Sequence, residues 1–398
     1  MLPEETDVLV VGAGPTGLTA ALTLALRGVR VTVVERLARP PVTSRAAVVH
    51  AYTLEELDRV GAGAPLVARG ILSPGFTVRD RDRVLLTVPF HDLPSVHPYA
   101  LMVSQAVTEE VLTDRLDSAG VRVLRPYELT GLDLDDAGAV ATFTDGATVR
   151  ARYVVAADGM RSTVRERAGI PFVGPAGGGE SFVLADVRVT SSLPHDQVSL
   201  FLDRAGPLVW APLPEGVVRL VAAVDEAPAD PDVAHLQALL DERGPTRRPH
   251  RIQEVLWGSR FRLHHRVAAT FRAGPVLLAG DAGHVHSPAG GQGMNLGIVD
   301  AVDLGTTLAD VLAGGPEVLL DGYAARRRPM AEDVVAFADR LTRLATVPSA
   351  ARPARNLLLR LLSSLPPARR RIALRLSGLA HRPAVTPEPG AVPASPPR

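Results

Sequence analysis

The chain has 398 residues, of which 46% are hydrophobic and 22% charged, and its 43 basic and 43 acidic side chains give a formal net charge of zero. That is enough apolar material for a sizeable core in two domains or one large two-part fold, and the balanced charge offers no electrostatic basis for nucleic-acid binding. Cysteine and lysine are both absent, which excludes disulfides, thiolate catalysis, cysteine-ligated zinc, Schiff-base lysines and a P-loop.

The opening stretch MLPEETDVLVVGAG is acidic and its apolar run is short, so it does not read as a signal peptide. No segment reaches the roughly 20 apolar residues of a membrane span. A cytoplasmic protein without membrane contacts is the expectation. Asp7 to Val11 reads as a short, β-branched, buried parallel strand. Gly12-Ala-Gly14-Pro15-Thr16-Gly17 follows, and Leu18, Ala21, Leu22, Ala25 and Leu26 then recur at helical spacing up to Gly28. A second strand, Val29 to Val34, closes on Glu35 and Arg36. Strand, G-x-G-x-x-G, helix, strand and acid is the order of a dinucleotide-binding unit, and the acid lies 35 − 17 = 18 residues beyond the last glycine. Gly12 permits the tight turn, Gly14 lets a pyrophosphate approach the backbone, and Gly17 lets helix and strand pack closely. The free N–H groups and positive dipole end of the helix face the phosphates. Glu35 would accept from ribose hydroxyls and repel a 2′-phosphate, so FAD or NAD fits and NADP does not.

Further on, Ser44-Arg45-Ala46 opens an expected helix over 45–60. Residues 71–100 are irregular with short strand patterns. Ser104 is a good N-cap, with Gln105 in the first turn of the helix it starts. Between Val121 and Val155, "DDAG" and "TDG" mark hairpin turns of a small antiparallel meander. This feeds a further apolar strand ending at Asp158-Gly159, before a helix near Ser162. Residues 176–269 are strand-rich, with one helix near 233–243, and read as a mostly antiparallel sheet. Phe201, Trp210 and Trp257 within it either line a substrate cavity or pack in a core. Another apolar strand ends at Asp281, followed by His284, His286, the loop from Pro288 through Gly291, and a helix start near Gln292-Gly293-Met294-Asn295. The two histidines lack a third metal ligand at matching spacing, so no metal is expected. Residues 316–345 read as an arginine-rich helix, with Arg326 to Arg328 and Arg369 to Arg371 as solvated faces. Residues 351–380 continue as helix broken at Pro366-Pro367, and the Pro-rich tail from 383 reads as disordered.

Three motifs in one order, G12-AGPTG-17, D158-GMRSTVR-165 and G280-D281 with its loop to Asn295, resemble those of the FAD-dependent aromatic hydroxylases of the para-hydroxybenzoate hydroxylase type. The resemblance spans about residues 5–345 and is nearest to bacterial hydroxylases of aromatic polyketides. It implies an α/β fold: a Rossmann-like FAD-binding domain with an inserted β-meander (1–70, 101–175 and 270–345), a mostly antiparallel α+β substrate domain (71–100 and 176–269), C-terminal helices (346–382) and a disordered tail (383–398). It further implies that Gly12, Gly14, Pro15, Thr16 and Gly17 cradle the FAD pyrophosphate, that Glu35 and Arg36 hold the adenosine end, and that Arg45 and Gln105 contact the cofactor. Asp158 and Gly159 match a motif linked to FAD and the nicotinamide donor. Asp281 matches the acid near the ribityl chain, and Pro288, Gly291, Gln292, Gly293, Met294 and Asn295 match the loop lying against the flavin ring.

The reaction so implied is hydroxylation of an aromatic or polycyclic substrate. NADH or NADPH serves as transient reductant, O2 as co-substrate and a flavin C4a-hydroperoxide as oxygen donor, with no obligatory catalytic side chain. Halogenase relatives need a lysine and a Trp-x-Trp motif, and neither is present. A monomer or homodimer is expected. Two other readings stand beside this one: a flavin oxidoreductase without oxygen insertion, and a monooxygenase that inactivates an antibiotic.

Overall fold

In this computed structural model, residues 1–40, 46–175, 181–224, 228, 230–247, 250–262 and 264–383 are described. The expected tail lies almost wholly outside them, as does Arg45. In chain order the helices are α1 (Pro15–Leu26), α2 (Ala51–Arg59), α3 (Gly63–Val67), α4 (Gln105–Ser118), α5 (Thr163–Arg167), α6 (Val233–Arg243), α7 (Gln292–Leu312), α8 (Val318–Ala345), α9 (Arg352–Ser364) and α10 (Pro366–Leu376).

The N-terminal strand Glu5–Val11 is the centre of a parallel layer. It pairs on one side with Val31–Val34, which pairs in turn with Val123–Leu124. On the other side it pairs with Thr148–Ala156, which pairs with Val276–Leu278. Val8, Leu9 and Val10 are fully buried in one core with α1, α4, α7 and the residues Leu132, Ala139, Ala141 and Phe143, so the strand has no solvated side and reads as a continuous apolar run. The register sets Val11 beside Val34 and Ala156, and Ala156 beside Leu278. The carboxyl ends of four strands therefore finish at one edge, where open α/β sheets bind ligands. The meander is present as Leu129–Asp135, Gly138–Phe143 and Thr148–Ala156, joined antiparallel.

Helices α1 and α7 cross at very short range. A Cβ on Gly297 would overlap the Thr16 hydroxyl, and one on Gly305 would stand 2.8 Å from Thr23 Cβ. Close approach of the two backbones thus requires glycine at both positions. The contact holds the start of α1 against the start of α7.

The second layer is a seven-stranded sheet in the order Arg251–Arg262, Ser181–Thr190, Val217–Val224, Gly206–Leu213, Val198–Asp203, Gly75–Asp80, Arg83–Pro89. All its pairings are antiparallel except Val198–Asp203 with Gly75–Asp80. Its outer face packs on α6: Val183, Val187, Phe201, Leu208, Trp210 and Leu220 bury against Leu236, Leu239 and Leu240. Its other face carries Ala211 and Leu213, packed with Ala47 and Met102 from the parallel-layer side.

The helix expected from residue 45 begins later, at Ala51. Val48 and Val49 are instead claimed by a strand pairing with Ala100–Met102, which also pairs with Ile71–Ser73. β-branched residues offered a sheet edge take it, overriding the helical pattern around them. The long helix and its successors occur as expected, α8 passing through Pro329 and the break falling between α9 and α10 at Leu365.

Candidate functional site

The glycine turn sits where the parallel strands end. Gly12 has φ of 104°, a left-handed value, and a Cβ there would overlap the Ala157 carbonyl. Gly17 lies against the Gly12 carbonyl, so a Cβ on it would overlap that oxygen. Gly14 differs: nothing lies within 4 Å of its would-be Cβ, and its φ of −77° suits any residue. The protein itself makes no demand for glycine at 14. It caps α1 with Pro15 in the first turn, leaving the helix N-terminus open to a ligand.

Glu35, half-buried, accepts from the Ala13 N–H through Oε2 (2.9 Å) and from the Leu37 N–H through Oε1 (2.9 Å). Each oxygen keeps a lone pair for a further donor, as a ribose diol requires. Arg36 beside it is exposed. Gln105, at the first position of α4, donates its amide to Glu109 Oε1 (2.8 Å), and its Oε1 accepts from Ala46 N (3.5 Å). Glu109 is buried, and that burial pushes its pKa up while Gln105 opposes the shift.

Asp158 follows the strand Thr148–Ala156, and its Oδ2 accepts from Val164 N at the start of α5 (3.2 Å). Its Oδ1 is buried with no partner among the described residues, and burial pushes its pKa up. Gly159, at φ 82°, faces open space. Asp281 lies exposed in a short 3-10 turn, Gly280–Ala282, just past the strand Val276–Leu278. Gly12, Glu35, Asp158 and Asp281 thus come from four neighbouring strand ends.

The loop after His286 is held from several directions. Gly290 (φ 81°) and Gly291 (φ 64°) are both left-handed, and a Cβ on Gly291 would overlap Val48 Cγ1. Asn295, buried in the first turns of α7, donates to Val48 O (2.9 Å) and Gly291 O (2.7 Å) and accepts from His50 N (2.7 Å). Gln292 is also buried and donates to Leu376 O (3.0 Å). Pro288 is exposed, and Gly293 and Met294 are half-buried. The side chains of Gln292 and Asn295 therefore brace the loop from behind.

The sequence reading assigned no role here to His50 or Asp300. His50 lies inside the stretch read as helix. Its Nε2–H donates to Gly290 O (2.8 Å), and its buried Nδ1 has no partner among the described residues. Burial lowers its pKa to about 4, the Gly290 carbonyl opposing the shift. His286 behaves alike: Nδ1–H donates to Ser287 O (2.7 Å), and burial first, with help from neighbouring histidines, lowers its pKa to about 4. Asp300, fully buried in α7, binds three groups at once. It accepts from Arg327 Nε (2.6 Å), His284 Nε2 (2.7 Å) and the Gly280 N–H (3.1 Å). Burial alone would raise its pKa, but Arg327 and His284 together hold it down at about 2. Arg327 is 3% exposed and corrects the reading of Arg326 to Arg328 as a solvated face, because α8 turns this one arginine inward. The signal for the pair was Asp300 itself, a carboxylate set directly among Ile298, Val299, Ala301 and Val302.

Phe201 and Trp210 are also corrected. They are 0% and 1% exposed and belong to the core with α6, on the face turned away from the parallel layer. Period-two alternation puts Ala211 and Leu213 on the opposite face from Trp210. Trp257 is half-buried, with the Arg219 guanidinium 5.8 Å from its ring centroid. Arg219 forms a two-bond ion pair with Asp186 (2.7 Å each) and donates to Ala46 O (2.8 Å), so it points toward the parallel layer. Trp210→Ala should cost about 3–5 kcal/mol of stability through the cavity it opens, while the folded fraction keeps its substrate KM. A raised KM at unchanged stability would return Trp210 to the substrate site.

The two low-pKa histidines give a pH prediction. A folded-state pKa below the unfolded 6.5 means that, between pH 6.5 and 4, the unfolded chain binds the proton and the folded one does not. Stability is full above pH 6.5 and falls as pH drops toward 4, by roughly 3 kcal/mol for His50. Urea midpoints between pH 7 and 4.5 should decline less steeply for His50→Gln than for wild type. Identical slopes would remove His50 from this role.

A family model described as FAD binding domain matches residues 5–338. The chain is 38% identical over 395 residues to a 6-methylpretetramide 4-monooxygenase of Streptomyces rimosus, covering 95% of this chain and 71% of the relative. It is 37% identical over 342 residues to a rifampicin monooxygenase of Streptomyces venezuelae, covering 83% and 69%. Among solved structures, a p-nitrophenol 4-monooxygenase from Pseudomonas putida DLL-E4 superposes with a TM-score of 0.85 at 28% identity, covering 95% of this chain and 99% of that one.

Proposed function

The chain belongs to the FAD binding domain family and is a flavoprotein monooxygenase of the aromatic hydroxylase type, and from that premise we propose that it hydroxylates a polycyclic aromatic substrate with NADH or NADPH as reductant. The observation that carries this reading is the meeting of Gly12, Glu35, Asp158 and Asp281 at one sheet edge with the braced loop 288–295 beside them. The residues fit FAD: Gly14 leaves open space before a free helix N-terminus, Glu35 keeps lone pairs for a diol, and Asp158 Oδ1 is a buried acceptor awaiting a donor.

When bound, FAD supplies the two-electron carrier and the activation of O2. The chain positions it. The N-terminus of α1 holds the pyrophosphate, Glu35 the adenosine ribose and Asp281 the ribityl segment. Asp158 and Gly159 border the cofactor, and Gln105 lies at its flank. Gly290 and Gly293 would let backbone N–H groups reach the flat ring, while the Gly291 N–H is donated to Pro288 O (2.9 Å) and holds the loop's shape, and the positive end of α7 would favour negative charge there by about 0.3–2 kcal/mol. Neutral His50 and His286 keep that loop free of an added positive charge that would vary with pH. The substrate rests on the inner face of the seven-stranded sheet, where Trp257 offers a ring and the Arg219–Asp186 pair a polar edge. The substrates named for the relatives, a pretetramide and rifampicin, are both polycyclic aromatics. The second of these also keeps antibiotic inactivation as an alternative purpose for the same chemistry.

The test is turnover of a panel of hydroxylated naphthacenes, rifampicin and para-nitrophenol under 18O2 with NADH and NADPH in parallel. One labelled oxygen should enter the product per nicotinamide oxidised. Nicotinamide consumption with a reduced, unlabelled product would replace hydroxylation by plain flavin reduction.

A further inference from the structure

The C-terminal helices carry a charge imbalance that the rest of the molecule lacks. Between Arg340 and Pro383 there are ten arginines and no aspartate or glutamate, in a chain whose formal net charge is zero. Several of these arginines answer acids elsewhere, such as Arg343 with Asp339 and Arg382 with Glu55. Among the described residues, Arg360, Arg369, Arg370 and Arg371 make no ion pair, and Arg370 and Arg371 are exposed.

The same segment wears its apolar face outward. Ala354, Leu357, Leu358, Leu361 and Leu365 recur at i, i+3, i+4, i+7 and i+11, one stripe of a helix. All are exposed, the leucines at 59%, 48%, 53% and 52%. The orientation is fixed by the opposite face. Arg355 and Leu359 are buried there, Arg355 donating to Ala345 O (3.4 Å), and Asn356 donates to Asp80 Oδ2 (3.0 Å). At its end the stripe runs into Pro366-Pro367 and then Arg369 to Arg371.

We propose that α9 and the start of α10 form a peripheral docking surface for an anionic lipid bilayer. A helix with leucines on one face and arginines beside them lies in the plane of a membrane surface, its apolar stripe at the headgroup boundary and its cations against lipid phosphates. An arginine cluster whose own segment holds no acid, with Asp92 lining the same cleft as Arg369 and Arg370, leaves a net positive face that complements an anionic surface. It opposes a second copy of itself, since two-fold pairing of this face would set arginines against arginines. A protein partner is disfavoured by composition: residues 349–382 contain no aromatic residue, whereas protein-binding hot spots are rich in Trp and Tyr and poor in Leu. The expectation of no membrane contact rested on the absence of a spanning segment, and none of the helices is long and apolar enough to cross a membrane. That has no bearing on a helix lying in the surface.

The experiment is co-sedimentation of the full-length holoprotein with vesicles of neutral phosphatidylcholine alone, or of phosphatidylcholine containing phosphatidylglycerol, at low and high salt. The protein should pellet with the anionic vesicles and be released by salt. Leu357→Ser/Leu361→Ser and Arg370→Glu/Arg371→Glu should each reduce partitioning at least about 10-fold, with flavin content unchanged. No binding to anionic vesicles at low salt overturns the proposal, as does equal binding to neutral ones. A dimer in the ultracentrifuge that the leucine substitutions dissolve, without vesicle binding, would assign the stripe to a second copy and also overturn it.

Discussion

Asp300→Asn should lower the stability of the protein by roughly 3–5 kcal/mol, because it leaves the Arg327 guanidinium buried without a counter-charge. Asp300 is fully buried and Arg327 nearly so, so water cannot replace the lost partner. The substitution also weakens the acceptor for the Gly280 N–H and for His284 Nε2, loosening the turn that carries Asp281. A fall in Tm of about 4–6 °C and weaker flavin retention are expected together. The control is three residues along the same helix. Asp303 pairs with Arg326, but those side chains are 26% and 53% exposed, and Asp303→Asn should cost no more than about 1 kcal/mol. Adding Arg327→Met to Asp300→Asn should restore much of the loss, since an uncharged pair carries no unpaired charge. If Asp300→Asn costs no more than Asp303→Asn in thermal and urea unfolding, the buried pair is not an anchor of the site.

Gly17→Ala and Gly14→Ala should fail in different ways. A Cβ on Gly17 strikes a backbone carbonyl, that of Gly12. Backbone cannot rotate aside as a side chain can, so α1 must shift away from the strand Glu5–Val11. The apoprotein should lose about 1–3 kcal/mol or more and retain little flavin. A Cβ on Gly14 meets no protein atom within 4 Å, so the apoprotein should unfold as wild type does. It should bind flavin roughly 10- to 100-fold more weakly, the loss of one hydrogen bond to a charged group. Unfolding of the apoproteins and flavin titration of each variant separate the two. Equal loss of apoprotein stability for both would mean that Gly14 serves packing alone.

These variants also mark how much was legible before any fold was known. The first strand, glycine turn, helix and acid could be placed from residue order because each step is local. β-branched runs make strands, a left-handed turn needs glycine at 12, and an acid must stand a fixed length of helix and strand away. The meander, α6 and the break between α9 and α10 were readable for the same reason, being set by turn residues and helical spacing. Val48 and Val49 were misread because their strand exists only where residues 100–102 come alongside, a pairing across about fifty residues that no local pattern encodes.

By itself, then, the sequence determined the class of ligand and the order of the elements that hold it, since both follow from short-range backbone requirements. Tertiary structure alone decided which face each side chain serves. It turned Trp210 to the helix-covered side of its sheet, drew Arg327 out of an exposed-looking run onto Asp300, and left the leucines of α9 facing outward. In each case the deciding quantity is burial against a partner distant in the chain. Burial sets whether an indole packs or lines, whether a guanidinium must find a carboxylate, and whether a leucine stripe has something to cover it.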